Sequence, residues 1–180
     1  ASAVVRCFTG QGKGVRKEIA ARTGLFAHEI FSNKKLGIAD SDILKNVMTL
    51  HKEQVLKVID RLDGLNFTVK METGTGKTYV YLRTIFELSQ KYGFKKYIIV
   101  VPGVAIREGT LKNLEITADH FRALYNNTEF EYFVYDSRKA NRLRHFATSN
   151  QIQIMVINID AFRKDFSDSE DDKKSNVIFK

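Results

Sequence analysis

The chain has 180 residues, enough to bury one hydrophobic core, and its 43% hydrophobic and 28% charged residues are ordinary for a globular protein. No apolar stretch is long enough to cross a bilayer, no basic segment precedes the apolar start to make a secretory signal, and the single Cys7 has no internal disulfide partner, which fits a reducing cytoplasm. With 29 Lys and Arg against 21 Asp and Glu, the formal charge of +8 favours polyanions such as DNA or RNA without specifying a site.

Residues 14–31 read as a helix, closed by the polar break Ser32-Asn33-Lys34-Lys35. Ser41 or Asp42 is placed to cap a longer helix reaching about residue 62, in which Leu44, Val47, Val55, Val58, Ile59 and Leu62 share one side. Asp63-Gly64 stops that helix, and Phe67, Val69 and Met71 then alternate with Thr68 and Lys70 as in a strand. A helix over about residues 77–91 follows, then the apolar run 97–101 and a break at Pro102-Gly103. Beyond it Thr117 is placed to cap a helix reaching about residue 125, residues 131–135 read as a strand, Ser137 is placed to cap a basic helix to about residue 148, and residues 152–159 form a further strand. Runs that are apolar on both faces belong to strands held between helix layers, so the pattern predicts an α/β doubly wound domain with a parallel sheet. The polar stretch 165–174 reads as an exposed loop rather than a metal site.

Between the expected strand and helix stands Met71-Glu72-Thr73-Gly74-Thr75-Gly76-Lys77-Thr78, the setting in which a phosphate-binding loop is believed. Gly74 and Gly76 permit backbone angles that turn successive N–H groups inward, so Thr73, Gly74, Thr75 and Gly76 form a cradle for phosphates at a helix N-terminus. Lys77 is the expected phosphate-contacting residue, and the Thr78 hydroxyl is placed to ligate the Mg²⁺ that accompanies ATP. The strict pattern has glycine where this chain has Met71. A core without that leading glycine looks like the variant of superfamily 2 helicases and translocases.

Three stretches resemble the restriction subunit of type III restriction-modification enzymes, whose motor is a superfamily 2 helicase core. They run from Leu65 through the phosphate-binding loop to Thr84, from Ile98 through Pro102-Gly103-Val104-Ala105-Ile106-Arg107 to Gly109, and from Ile152 through Asn158-Ile159-Asp160 to Phe162. The resemblance implies a RecA-like domain incomplete at both ends, with a helical N-terminal part over residues 1–64 and a partial first helicase lobe over residues 65–180. It further implies an ATP-dependent type III site-specific deoxyribonuclease as the parent subunit, in a prokaryotic cytoplasm, with double-stranded DNA and a methyltransferase subunit as partners.

In the resembled family the second stretch contacts the tracking DNA strand, which nominates Pro102, Gly103 and Arg107, and the third adds Asn158 at the carboxyl end of its strand. Asp160 equally suits a capping role, and the basic helix with Arg138, Lys139, Arg142, Arg144 and His145 reads as a solvated surface in preference to a phosphate contact. Residues 3–11 look like the helix that follows the family's adenine-reading glutamine, with Gln54 a rival for that role. The family's acidic hydrolysis motif, second motor lobe and nuclease domain are expected beyond Lys180, so the isolated fragment is expected to hold Mg-ATP weakly without turnover. Two alternatives stay open from the residues themselves: another superfamily 2 helicase or translocase, and a P-loop nucleotide-binding module without nucleic acid.

Overall fold

Among residues 1–19 and 29–160, which the computed structural model describes, the chain runs α1 (Ser2–Arg6), β1 (Val15–Ile19), β2 (Glu29–Asn33), α2 (Asp40–Glu53), α3 (Lys77–Tyr92), β3 (Lys96–Val101), α4 (Val104–Leu124), β4 (Phe130–Val134), α5 (Ala140–Thr148) and β5 (Ile152–Asn158). Two compact units result, one from Ala1–Arg16 with Asn33–Phe94, the other from Lys17–Ser32 with Lys95–Lys180. The polar stretch 165–174 lies outside the described residues.

The first unit is helical. Ile43, Val47 and Leu50 follow one another at four- and three-residue spacing along α2, so they share a face, and with Cys7 they form a buried cluster. Ala3, Phe8, Leu36, Ile38, Ile59, Leu62 and Phe67 pack against it. The Tyr92 hydroxyl at the end of α3 donates to the Val5 carbonyl at 2.9 Å, which ties α3 to α1. Helix α3 ends at Gly93, whose φ of +78° is the left-handed conformation that glycine takes at helix C-termini. Here the backbone of Gly14 passes 3.1 Å from the position a Cβ on Gly93 would take.

In the second unit β3, β5 and β4 lie side by side in that order, all parallel, with Tyr97 level with Ile154 and Tyr132 level with the same residue. The path from β3 to β4 skips a place in one direction and the path from β4 to β5 returns. Right-handed crossovers therefore put α4 and α5 on opposite faces of the sheet. Side-chain contacts agree with this. On β4, Phe130 lies under the guanidinium of Arg122 from α4 at 5.3 Å, while Phe133, of opposite parity, meets Phe146 of α5 edge-on at 5.9 Å. Central β5 is consequently buried along residues 152–157. The nine-residue α5 covers less of its face, and Ile98 and Val100 of β3 stay about half exposed there.

This three-strand parallel sheet flanked by helices is the α/β class expected, but several local expectations are corrected. Within the expected helix over residues 14–31, the described residues form strands instead: β1 and β2 make a separate two-stranded sheet, with Lys17 paired to Glu29 at 2.6 Å. The N–H of Gly14 donates to the Tyr92 carbonyl at 3.1 Å, so the chain enters this region extended, and Val15, Ile30 and Phe31 are strand-formers. Helix α2 starts after Ala39 without a side-chain cap and ends at Glu53, well short of residue 62, because Val55 is left-handed with φ +54°. The Leu56 N–H then bonds back to the His51 carbonyl, and Ile59 and Leu62 reach the core from a non-helical segment.

Residues 67–71 form no ladder with any described strand. Phe67 instead turns onto the helical cluster, edge-on to Phe8 at 5.7 Å, and Val69 is left exposed. Thr117 caps nothing either, since its hydroxyl bonds the Asn113 carbonyl at 2.6 Å inside the uninterrupted 21-residue α4. Nor does Ser137 cap α5, whose first flanking residue is Lys139. Exposed Ile98 and Val100 show that β3, unlike β5, is not covered by helices on both faces.

Candidate nucleotide-binding loop and sheet edge

The loop between Met71 and α3 is a tight turn made by two left-handed glycines, Gly74 with φ +80° and Gly76 with φ +79°. No heavy atom lies within 4 Å of a Cβ built on either, so the requirement for glycine is conformational rather than steric. The Thr75 hydroxyl donates to the Glu72 carbonyl at 2.7 Å and closes the turn. Gly76 then serves as the N-terminal boundary of α3, its carbonyl accepting from Val80 at 3.0 Å. The N–H groups of the first helical turn have no acceptor within the helix, as at any helix start, and carry its positive end.

Lys77 is exposed, but its side chain is not extended. Its ammonium folds back over the loop and donates to the carbonyls of Met71 at 3.0 Å and Glu72 at 2.6 Å. Thr78 sits half-buried in the first turn, and Thr73 is exposed on the loop. The structure thus brings Thr73, Gly74, Thr75, Gly76, Lys77 and Thr78 around one turn. Left-handed glycines, a helix start and an ammonium held over the same few atoms suit a string of phosphates. Gln54, at the end of α2, is exposed.

The other expected contacts lie in the second unit, at the carboxyl edge of its sheet. Val101 is level with Asn158 and its carbonyl accepts from Ile159 at 2.9 Å, which places Pro102 and Gly103 beside Asn158. Gly103 opens α4 in an extended conformation, and its carbonyl accepts from the Arg107 N–H at 3.0 Å. The Arg107 guanidinium grips the neighbouring Glu108 carboxylate through Nε at 2.9 Å and Nη2 at 2.7 Å, so its charge is offset locally. Asn158 accepts the Asp160 N–H through Oδ1 at 3.2 Å, closing the turn after β5.

At the β4 end of the same edge, a group read from sequence as a solvated helix surface is organised. Asp136 holds Arg138 through Nε at 3.0 Å and Nη2 at 3.2 Å, and accepts the Arg138 backbone N–H at 3.1 Å. These bonds hold the Asp136 carboxyl below the usual carboxylate range. An open surface cleft of about 400 Å³ is lined by Arg138, Lys139, Ala140, Asn141 and Arg142. The basic residues Arg138, Lys139 and Arg142 around the start of α5 were visible in the sequence, but not that Asp136 would hold Arg138.

The opposite, amino edge carries a third polar group. Glu131 accepts from His145 at 2.7 Å and from Gln153 at 3.1 Å, and these bonds lower its pKa, with that to Gln153 the largest cause. Lys96 beside it donates to the Ser149 carbonyl and lies over the Phe146 ring, and burial, reinforced by Lys95, pushes its pKa down to about 8. The buried Gln153 carbonyl oxygen has no hydrogen-bond partner among the described residues.

A family model described as "Type III restriction enzyme, res subunit" matches residues 40–179. The chain is 55% identical over 73 residues to the StyLTI Res subunit of Salmonella typhimurium, a match covering 38% of this chain and 7% of that protein. It is 36% identical over 113 residues to the EcoPI Res subunit of Escherichia phage P1, covering 59% of this chain and 11% of that protein. To the EcoP15I Res subunit of Escherichia coli it is 47% identical over 73 residues, covering 39% and 7%. The chain therefore spans only 7% to 11% of the length of the curated relatives it matches.

Proposed function

Since the chain belongs to the family of type III restriction enzyme Res subunits, within their RecA-like helicase part, we propose that it is the nucleotide-binding portion of a DNA-translocating motor. The observation that carries this reading is the turn of two left-handed glycines with Lys77 folded over it. The open space at both glycines fits a phosphate chain approaching the backbone closely. In the proposed complex Thr73, Gly74, Thr75 and Gly76 surround the phosphates of ATP, Lys77 exchanges its two carbonyl acceptors for phosphate oxygens, and Thr78 holds Mg²⁺. The metal neutralises charge on the phosphates when bound.

In the whole protein this binding would be coupled to movement on double-stranded DNA and to its cleavage, in concert with a methyltransferase subunit and in a prokaryotic cytoplasm. No described helix is long and apolar enough to cross a membrane. Support for a DNA contact comes from the sheet edge that gathers Pro102, Gly103, Arg107 and Asn158, and from the net charge of +8.

The test is nucleotide titration of the full-length protein against its Lys77→Ala variant. Charge-assisted hydrogen bonds contribute about 1.5–3 kcal/mol each, so Mg-ATP binding should weaken roughly 10- to 150-fold. Equal affinity in the two proteins rejects the proposed role of the loop.

A further inference from the structure

Between α1 and β1 runs the loop Gly10-Gln11-Gly12-Lys13-Gly14. Its buried member is Gln11, whose Oε1 accepts the Gly37 N–H at 2.8 Å and whose Nε2 donates to the Gly12 carbonyl at 3.1 Å, so one side-chain amide ties the loop to the segment after β2. Gly14 donates its own N–H to the Tyr92 carbonyl at 3.1 Å, and Gly10 turns the chain with φ +104°, a conformation open to glycine. The loop is therefore held at both ends. In its middle the N–H groups of Gly12 and Lys13 have no acceptor among the described residues.

What lies over this loop is positive. The Lys34 ammonium stands 3.9 Å from the position of a Cβ on Gly12 and 3.9 Å from that of a Cβ on Gly14, so two missing side chains leave room beside one charge. Lys13 and Lys35, their neighbours in the chain, are exposed, and none of Lys13, Lys34 and Lys35 has an ion-pair partner among the described residues. Lys17 and Lys45, by contrast, are paired with Glu29 and Asp42. The C-terminal end of α3 meets the loop at Tyr92, but a helix end carries only about half a negative charge, and Lys91 already stands in that last turn. Three further ammonium groups exceed what it offsets. Free N–H donors, glycines and uncompensated lysines are the components of an oxyanion site.

Charge and position narrow the choice of anion. A carboxylate or a phosphodiester brings one charge, whereas a phosphate monoester brings about −1.5 to −2 at neutral pH with three acceptor oxygens. Helix α3 has 16 residues and is about 24 Å long, with this loop at its end and the turn of Gly74 and Gly76 at its start, so one nucleotide does not reach both.

We propose that Gly12, Lys13 and Lys34 form a second phosphate site, for a doubly charged phosphate group, at the end of α3 remote from the nucleotide turn, with Gln11 as the positioning residue for the loop. This goes beyond the motor reading and does not depend on it.

The experiment uses the full-length protein carrying Lys77→Ala, which weakens the nucleotide turn, and titrates inorganic phosphate by calorimetry. Against this background Lys13→Ala/Lys34→Ala should lower phosphate affinity at least about tenfold, since each charge-assisted hydrogen bond contributes a factor of that order. Gly12→Ala keeps every charge but fills the space beside the Lys34 ammonium, and it should lower affinity several-fold, which a merely electrostatic surface would not show. A DNA duplex with and without 5′-phosphates separates the sources of the ligand. A preference for the phosphorylated duplex that the variants abolish assigns the site to a nucleic-acid end, and binding of inorganic phosphate without such a preference assigns it to a free anion; both uphold the proposal. Unchanged phosphate affinity in the variants, or no phosphate binding by the Lys77→Ala protein, overturns the site, while Mg-ATP binding by the protein with Lys77 intact judges the nucleotide turn separately. An equal loss of affinity for both duplexes with phosphate binding untouched shows a diffuse polyanion surface and also overturns it. Should the lysine pair not fold, Gly12→Ala decides alone, undiminished phosphate affinity overturning the site.

Discussion

Lys77 and Lys96 are both lysines that fold back onto backbone carbonyls, and their surroundings separate their behaviour. Lys77 lies exposed over a turn, and its two hydrogen bonds to the Met71 and Glu72 carbonyls keep the ammonium in place without burying it. Lys96 lies over the Phe146 ring and donates to the Ser149 carbonyl, and burial, reinforced by the like charge of Lys95 and opposed by Glu131, lowers its pKa from 10.5 to about 8. Between these two values the unfolded chain binds the proton more often than the folded one, so stability contributed at this residue rises with pH from about 8 to 10.5, and below that window the cost of the buried charge is constant. Lys96→Met removes the titration. The wild type should therefore gain stability relative to Lys96→Met between about pH 7.5 and about pH 10 in urea unfolding, and a difference that stays flat across that range rejects the assignment. The turn of Gly74 and Gly76 was legible residue by residue because its conformation is local. The Lys96 environment was not, since it depends on three segments meeting.

For the individual elements, the apolar spacing identified which residues are buried better than it identified the conformation that buries them. Ile59 and Leu62 do reach the cluster around α2, but after a left-handed Val55 has ended the helix that was expected to carry them. Phe67 likewise has strand-like neighbours and is captured by Phe8. Helix α4 is longer than expected because the Thr110 and Thr117 hydroxyls bond the carbonyls four residues back and do not break it, and it ends where Asn126 and Asn127 turn left-handed. Gly93 gives the sharpest test at this level. A β-carbon there meets both the left-handed backbone and Gly14 at 3.1 Å, so Gly93→Ala should cost about 1–2 kcal/mol from conformation alone and more from the contact. The thermal midpoint should fall by at least about 2 °C. An unchanged midpoint means that the two segments do not touch in solution.

Across the whole molecule, parallel strands with crossovers of one hand explain why β5 is the most enclosed part of the sheet and why β3 is half open. Truncating Ile157, fully buried, to Ala should cost about 2–5 kcal/mol in chemical denaturation, whereas Ile98→Thr on the open face of β3 should cost under about 0.5 kcal/mol. Equal costs would mean that the open face is covered in solution. The sequence by itself determined the glycine turn before α3, strands β3, β4 and β5, the α/β class and the family, because glycine conformations, apolar runs and a lysine at fixed spacing act over a few neighbouring residues. Tertiary structure alone decided that Val15–Ile19 and Glu29–Asn33 pair as strands and that residues 67–71 pair with no described strand. Both outcomes turn on a partner far away in the chain, Tyr92 for Gly14 and Phe8 for Phe67. Local spacing carries no information about such partners.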